Sequence, residues 1–323
     1  MYEALSKLDA VHLNFSPASL FILNITLAII MVGVALGIKL QGFKELMRKP
    51  KPFIVGVISQ FFLLPFFTFI LVLLLKVPES VGLGMILVAS CPGGNISNFM
   101  SSLARGNVEL SVSLTMFSTL TAVFFTPFNF ALWGGLFLKF AAKHYHELAP
   151  VSINFWQMFK SVVIILLIPI TVGLFISHRW PRAAKKAGPY VRVTSVFIFI
   201  AMVIVMIINN WAFVVKYVQV VFLLVFIHNA MALAIGYYWS KINKLSHDIA
   251  KTISIETGIQ NSGLALVLIF NPKLFNGLGG MATIAAWWGI WHIISGLTMG
   301  FIWSYRKKRK TAGNVKLQES IAQ

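Results

Sequence analysis

The feature that most limits the fold of this chain is a series of apolar runs, each about 20 residues long, separated by short polar segments. A run of this length crosses a bilayer as a helix, because lipid offers no partners for free backbone N–H and C=O groups. Hydrophobic residues make up 58% of the 323 residues and mean hydropathy is +0.82, more than one soluble core can bury. The sequence predicts an all-α polytopic membrane protein with nine transmembrane helices, near 18–40, 52–75, 80–104, 108–138, 155–178, 189–209, 213–240, 248–271 and 277–305.

The basic residues lie mainly in alternate connections between these runs. The positive-inside rule then predicts a multi-pass protein of the cell membrane, with the N-terminus outside and the C-terminus cytoplasmic. The basic tail, 306–323, is either an orientation signal, which is the favoured interpretation, or a site for anionic lipid or a partner. The net charge of +18 does not indicate a nucleic-acid partner, since the charges lie between apolar runs and not on one folded surface.

Two of the runs contain polar interruptions. The third holds Pro92, Gly93 and Gly94 within the stretch 90–98, and the eighth holds the polar island 256–263. Such residues break helical hydrogen bonding, and the first helix is expected to restart near Asn95. The two broken spans are five apart in the chain. Because successive spans alternate in direction and five is odd, the two broken helices run in opposite directions. This pattern predicts an inverted repeat in which spans 1–4 pair with spans 6–9 and a first span is missing.

The breaks allow two interpretations. Proline and glycine often only kink packed membrane helices. Two broken helices at corresponding places in inverted halves are instead typical of a transporter site near the bilayer midplane. Their matched positions and their Asn, Ser and Gln side chains favour the transporter interpretation.

Glu256 is the acidic residue that lies deep in an apolar run. A carboxylate at this depth is costly unless it is paired, faces water or holds a cation, so its default interpretation is functional. Gln260 follows one helical turn later, which makes the pair a possible cation site. Ser111 and Thr115 show the same spacing in the fourth run. Their hydroxyls either ligate a hard cation or hold helices together.

Several strings in this sequence resemble the bile acid:sodium symporter family. They include Cys-Pro-Gly-Gly-Asn-Ile-Ser-Asn-Phe at 91–99, Leu-Ala-Arg-Gly-Asn at 103–107, Leu-Ser-Val-Ser-Leu-Thr at 110–115 and Glu-Thr-Gly-Ile-Gln-Asn-Ser-Gly at 256–263. Gln60 and the pairs Trp291-His292 and Ser295-Gly296 extend the resemblance over nearly the whole chain from about residue 20. Bacterial members have ten spans, whereas this chain begins at their second and has the nine-span arrangement of the vertebrate carriers.

The resemblance implies one transporter unit with two parts and a substrate crevice between them. The core is formed by 52–138 and 213–305, with the broken helices crossing inside it, and the panel by 18–40 and 155–209. It also implies two sodium sites that share one carboxylate. The first would take Ser97, Asn98, Ser111, Thr115 and Glu256, and the second Gln60, Glu256, Gln260 and the carbonyls of Thr257 and Ile259.

By the same resemblance, the residues that face the substrate are Asn95, Ile96, Asn261 and His292. His292 contacts an anion or serves only as a packing and hydrogen-bonding residue in a Trp-rich helix. His228 and Asn229 are weaker candidates. Where bacterial members often carry a polar residue, this chain has Ile293, so the substrate contacts are less firmly implied than the sodium ligands.

The function predicted is a sodium-coupled symporter that imports an organic anion by alternating access. The anion would be bile acid-like or a small carboxylate such as pantoate or pyruvate. The lipid bilayer is the other expected partner, and no obligate protein partner is implied. The alternative is a related crossed-helix transporter that is proton-coupled or carries an inorganic anion. A membrane enzyme would need a metal cluster or a nucleophile beside a base, and the single cysteine and seven scattered histidines suggest neither.

Overall fold

The computed structural model describes residues 5, 6, 8, 17–36, 50–144, 153–209 and 211–321. The end of the first predicted span, 37–40, and the basic segment that follows it lie outside the described residues. The side chains of the basic tail lie outside them as well, so the structure does not test its proposed role.

The described residues form helices and the turns between them. Their order is α1 Pro17–Leu36, α2 Pro50–Leu75, α3 Glu79–Ser90, α4 Ser97–Leu103, α5 Val108–His144, α6 Phe155–Arg179, α7 Pro181–Asn209, α8 Trp211–Ile242, α9 His247–Gly258, α10 Ser262–Phe270 and α11 Gly279–Ile321. This confirms the all-helical class.

The helices fall on the predicted apolar runs, and both predicted breaks are present. The first break separates α3 from α4, and the second separates α9 from α10. The helix after the first break begins at Ser97, two residues later than expected, because the chain turns at 95–96 and the Ser97 N–H bonds to the Gly94 carbonyl at 3.0 Å.

Four described helices are long and apolar enough to cross a membrane by themselves: Pro50–Leu75, Val108–His144, Phe155–Arg179 and Gln219–Ile242. This confirms a membrane protein with several apolar helices. The count of nine spans, the inverted repeat and the orientation of the termini stay predictions.

The distribution of side chains differs from that in a soluble protein, because apolar residues cover the outer surface as well as filling the core. Large apolar side chains are widely exposed on the outer surface, for example Phe21 and Phe175, which are 67% and 62% exposed. Polar side chains such as Gln60, Ser111 and Glu256 are buried. An apolar outer surface suits contact with lipid, and buried polar groups require partners inside the protein.

Packing places the broken helices in the interior. The helices α1, α6 and α7 pack on one another, while α8 packs along α9, and α11 packs against both α3 and α10. Close approach depends on glycine: a Cβ on Gly84 would lie 2.8 Å from the Met281 Cα, and one on Gly236 would lie 2.6 Å from the Ile253 carbonyl oxygen. This grouping is compatible with the implied core and panel, whose boundaries stay predictions.

Three of the long helices contain one wide π turn, at Ser59–Leu63 in α2, Phe130–Gly134 in α5 and Val163–Leu167 in α6. Such turns often occur at functional sites, because they displace side chains from the regular helical positions. The turn in α2 contains Gln60, one of the predicted site residues.

Candidate functional site

The two breaks cross each other in the interior and are joined backbone to backbone. Gly93 and Gln260 face each other as an antiparallel bridge. On one side the Gly94 N–H donates to the Ile259 carbonyl at 2.7 Å, and on the other the Asn261 N–H donates to the Pro92 carbonyl at 2.8 Å. The unwound segments therefore satisfy part of each other's free backbone groups, which burial inside a membrane protein requires.

These two hydrogen bonds are related by a local twofold symmetry. Gly94, which follows Gly93, bonds to Ile259, which precedes Gln260. In the same way Asn261, which follows Gln260, bonds to Pro92, which precedes Gly93. The segments are thus equivalent in their backbone bonding and run in opposite directions. The side chains break this symmetry, because Glu256, four residues before Gln260, corresponds to Ala89, four residues before Gly93.

Glu256 lies in the last turn of α9 and is surrounded by hydroxyl groups from two other helices. Ser97, the first residue of α4, donates to Oε1 at 2.6 Å, and Ser111 of α5 donates to the same oxygen. Thr115 Oγ1 lies 3.1 Å from Oε1 and 3.0 Å from Oε2. Asn98 joins the cluster through its Oδ1, 3.3 Å from Thr115 Oγ1. The structure therefore brings together all five residues of the first predicted set.

Among the described residues, the hydrogen-bond partners of this carboxylate are hydroxyl oxygens. Only 1% of Glu256 is exposed, and among the described residues it forms no ion pair with a lysine, arginine or histidine. Hydroxyl, amide and carboxylate oxygens are ligands for hard cations, and the described part of the chain holds no group of three His, Cys, Asp or Glu side chains that would favour a transition metal. The donor set fits a small hard cation.

The second predicted set adds Gln60, Gln260 and the carbonyls of Thr257 and Ile259 to Glu256, and these groups lie around the same crossing. Gln60 and Gln260 are both buried, and Gln260 Nε2 donates to the Thr257 carbonyl at 2.8 Å. This leaves Gln260 Oε1 and Gln60 Nε2 without a hydrogen-bond partner among the described residues. The Ile259 carbonyl accepts the bond from Gly94 described above. Buried amide groups without partners are unusual, and they mark this place as one that a ligand can complete.

Gly93 lies between the two sets. A Cβ at this position would lie 2.7 Å from Gln60 Nε2 and 3.2 Å from Glu256 Oε2. The missing side chain lets the backbone of the first break pass between the amide and the carboxylate. Its N–H is also held, by Ser118 Oγ of α5 at 3.3 Å.

Comparison with known proteins agrees with this geometry. A family model described as the Sodium Bile acid symporter family matches residues 24–217. An uncharacterized sodium-dependent transporter of Bacillus subtilis is 34% identical over 310 residues, which cover 94% of this chain and 90% of the relative. The chain belongs to the sodium bile acid symporter family.

Two further relatives match a smaller part of their own length. A probable chloroplastic sodium/metabolite cotransporter of Arabidopsis thaliana is 31% identical over 75% of this chain and 57% of the relative. Sodium/bile acid cotransporter 5 of Rattus norvegicus is 28% identical over 81% of this chain and 58% of the relative. This chain therefore spans somewhat over half the length of these two. Membership of this family confirms the resemblance seen in the sequence, and it favours a transporter over a membrane enzyme.

The predicted substrate residues lie around the same crossing. Among the described residues they form no hydrogen bonds with one another. Asn95 and Ile96 form the turn before α4, and Ile96 packs in an apolar cluster that includes Ile293 of α11. Asn261 caps α10 by accepting a bond from the Leu264 N–H at 3.0 Å. His292 of α11 is buried, and its Nδ1 has no hydrogen-bond partner among the described residues.

The placement of His292 follows from glycines on the same helix. A Cβ on Gly289 would lie 2.9 Å from Ser262 Oγ, and one on Gly296 would lie 3.0 Å from Ile259 Cδ1. These glycines are two turns apart on α11, and His292 lies between them. The helix therefore runs past both the start of α10 and the end of α9.

Sequence reasoning missed Asn129 and the structural contact of Asn229, which both hold this site. Asn129 Nδ2 of α5 donates to the Phe61 carbonyl at 2.9 Å, inside the π turn that carries Gln60. Asn229, weighed only as a weak substrate contact, instead donates to the Gly258 carbonyl at 2.7 Å. Both asparagines lie in apolar runs, and that position was the available signal, since a polar residue at membrane depth requires a partner.

Proposed function

We propose that this protein is a sodium-coupled symporter that imports an organic anion, with two sodium ions bound at the crossing of the broken helices. The observation that carries the proposal is Glu256, a buried carboxylate that lies among hydroxyl oxygens without a cationic partner among the described residues. Such a charge inside a membrane protein is stable only with a compensating cation or when protonated. The oxygen donors around it suit sodium.

In the proposed first site, sodium is held by the Glu256 carboxylate and by the side-chain oxygens of Ser97, Asn98, Ser111 and Thr115. These residues come from α9, from the restart of the first broken helix and from α5. Binding would therefore join three separate elements. A movement of any one of them changes the affinity of the site, which is how ion binding can be coupled to a conformational change.

In the proposed second site, sodium is held by Gln60, Gln260 and Glu256 together with the carbonyls of Thr257 and Ile259. One support is Gln260 Oε1, a buried acceptor with no hydrogen-bond partner among the described residues. The other is the pair of carbonyls at the end of α9, which accept bonds from Gln260 Nε2 and the Gly94 N–H and not from the helix itself. The unpartnered atom of Gln60 is the donor Nε2, so Gln60 ligates sodium once its side-chain amide has turned over. Carbonyls at the end of a broken helix carry partial negative charge and favour a cation.

The charge balance gives a reason for coupling to an anion. Two sodium ions beside one carboxylate leave about one net positive charge, which an anion near the starts of α4 and α10 would offset. Sodium and substrate should therefore increase each other's affinity. Asn95, Ile96, Asn261 and His292 are the proposed contacts of the anion, and α1, α6 and α7 would form the panel on the other side of the crevice.

The substrate class is proposed from the same balance. Bile acid-like molecules and small carboxylates such as pantoate or pyruvate both carry the required single negative charge. The names of two relatives, a sodium/bile acid cotransporter and a sodium/metabolite cotransporter, support this class. The N-terminus is proposed to lie outside the cell membrane and the C-terminus in the cytoplasm.

The test is an uptake screen in proteoliposomes that contain the purified full chain. Labelled organic anions, including a bile acid, pantoate and pyruvate, are offered with an inward sodium gradient and with choline in place of sodium. We expect uptake of at least one anion to require the sodium gradient. Uptake that follows a proton gradient and ignores sodium would refute the proposal.

A further inference from the structure

Asn229 of α8 makes a contact that the proposed ion ligands do not explain. Its side chain is fully buried, and its Nδ2 donates to the Gly258 carbonyl at 2.7 Å. A carbonyl only accepts, so the amide nitrogen must face it and the oxygen Oδ1 faces away. That oxygen has no hydrogen-bond partner among the described residues. Burying an asparagine in this way is costly, which suggests that its one bond has a specific role.

The carbonyl that Asn229 holds lies between two carbonyls of the proposed second sodium site. Gly258 is the last residue of α9, and Thr257 and Ile259 flank it. The three successive carbonyls have different partners: Thr257 accepts from the Gln260 side chain, Gly258 from Asn229 and Ile259 from the Gly94 N–H. The Asn229 bond thus fixes the orientation of the peptide group between the two proposed ligands.

Packing between α8 and α9 keeps Asn229 opposite the Gly258 carbonyl. Leu233 is one turn after Asn229, and its carbonyl accepts a bond from Ser254 Oγ of α9 at 2.7 Å. A Cβ on Gly258 would overlap the Leu233 side chain, at 2.7 Å from its Cγ. The glycine therefore allows the end of α9 to approach α8 closely enough for Asn229 to reach the carbonyl.

We infer that Asn229 is a positioning residue for the proposed second sodium site: it fixes the carbonyls at the end of α9 without itself contacting the ion. The inference rests on the proposed function, because it assumes sodium at this place. Without the Nδ2 donor, the Gly258 carbonyl would have to turn toward another donor. The flanking carbonyls of Thr257 and Ile259 would turn with it, and sodium affinity would fall.

The experiment measures sodium binding alone, so that its result does not depend on the identity of the substrate. Purified full chain in detergent is titrated with sodium chloride against choline chloride at constant ionic strength, and the rise in melting temperature gives an apparent sodium Kd. Asn229→Ala and Asn229→Leu both remove the donor, and leucine also fills the space. We expect both variants to raise the apparent Kd about tenfold, the effect of losing one well-oriented ligand contact.

One comparison separates positioning from a role in helix packing. Ser254→Ala removes the neighbouring bond between α8 and α9, so it should lower the melting temperature in choline but leave the sodium Kd unchanged. If Ser254→Ala raises the sodium Kd as much as Asn229→Ala does, the packing of the two helices and not the Asn229 bond sets the affinity, and the inference is wrong.

The inference and the proposed function fail in different ways. A wild-type protein whose melting temperature does not respond to sodium beyond choline would refute sodium binding itself. A wild-type response together with alanine and leucine variants within twofold of its Kd would refute only the role of Asn229.

Discussion

Replacing Glu256 with glutamine tests the charge on which the proposed mechanism depends. The side chain keeps its volume, and its amide oxygen can still accept the bonds that Ser97 and Ser111 donate to Oε1. The new amide nitrogen would replace Oε2, whose hydrogen-bond donor is the Thr115 hydroxyl at 3.0 Å. That hydroxyl can rotate and accept instead. The fold around the crossing should therefore survive the substitution.

The effect on sodium is large because the attraction between opposite charges is lost. A carboxylate and a cation about 4 Å apart attract each other by about 4 kcal/mol at an effective dielectric constant of about 20. Since about 1.4 kcal/mol corresponds to a factor of ten, each proposed sodium ion should lose about a thousandfold in affinity. Both sites use the same carboxylate, so both should be lost together.

The assay combines uptake with sodium-dependent stability. Glu256→Gln should abolish sodium-driven uptake in proteoliposomes and remove the rise in melting temperature that sodium causes. In choline its melting temperature should equal or exceed that of wild type, because an unpaired buried charge has been removed. Glu109→Gln is the matched control, since Glu109 is exposed at the start of α5. Sodium-driven uptake at the wild-type rate by the Glu256 variant would refute the reasoning.

Three further predictions concern the same site. Ser111→Ala combined with Thr115→Ala should raise the sodium concentration for half-maximal uptake at least tenfold, because it removes two proposed sodium ligands and one contact between a hydroxyl and a full charge contributes about 1.5–3 kcal/mol. Ser113→Ala is the control, since its hydroxyl bonds to a carbonyl of its own helix, and an equal loss at all sodium concentrations would indicate a packing role. Gly93→Ala should reduce sodium-driven uptake severely, because its Cβ would lie 2.7 Å from Gln60 Nε2. Gly135→Ala, with no atom within 4 Å of the new Cβ, should behave as wild type, and normal sodium dependence of the Gly93 variant would contradict the prediction. Uptake of a monovalent anion with two sodium ions should be electrogenic, because each cycle carries one net positive charge inward and a potential of 100 mV contributes about 2.3 kcal/mol per cycle. If uptake does not respond to a potassium diffusion potential set with valinomycin, and the sodium Hill coefficient is near one, the two-ion cycle is excluded.

The sequence by itself determined where the helices lie and where two of them break. Apolar runs of spanning length predict helices in lipid whatever their neighbours are, and proline and glycine interrupt a helix through local geometry. For the same reason Glu256 could be singled out, because its cost depends on its depth in an apolar run and not on particular contacts. The string 256–263 was distinctive enough to indicate the family, which comparison then confirmed.

Only the tertiary structure decided which groups meet. Crossing of the breaks depends on long-range bonds such as that between Gly94 and Ile259, which no periodicity encodes. The spacing of Ser111 and Thr115 more often serves to hold helices together, and the packing of α5 against α9 turned their hydroxyls toward Glu256. An isolated asparagine in an apolar run can bond in many directions. Asn229 became part of the site because the register of two packed helices placed its nitrogen 2.7 Å from the carbonyl of Gly258.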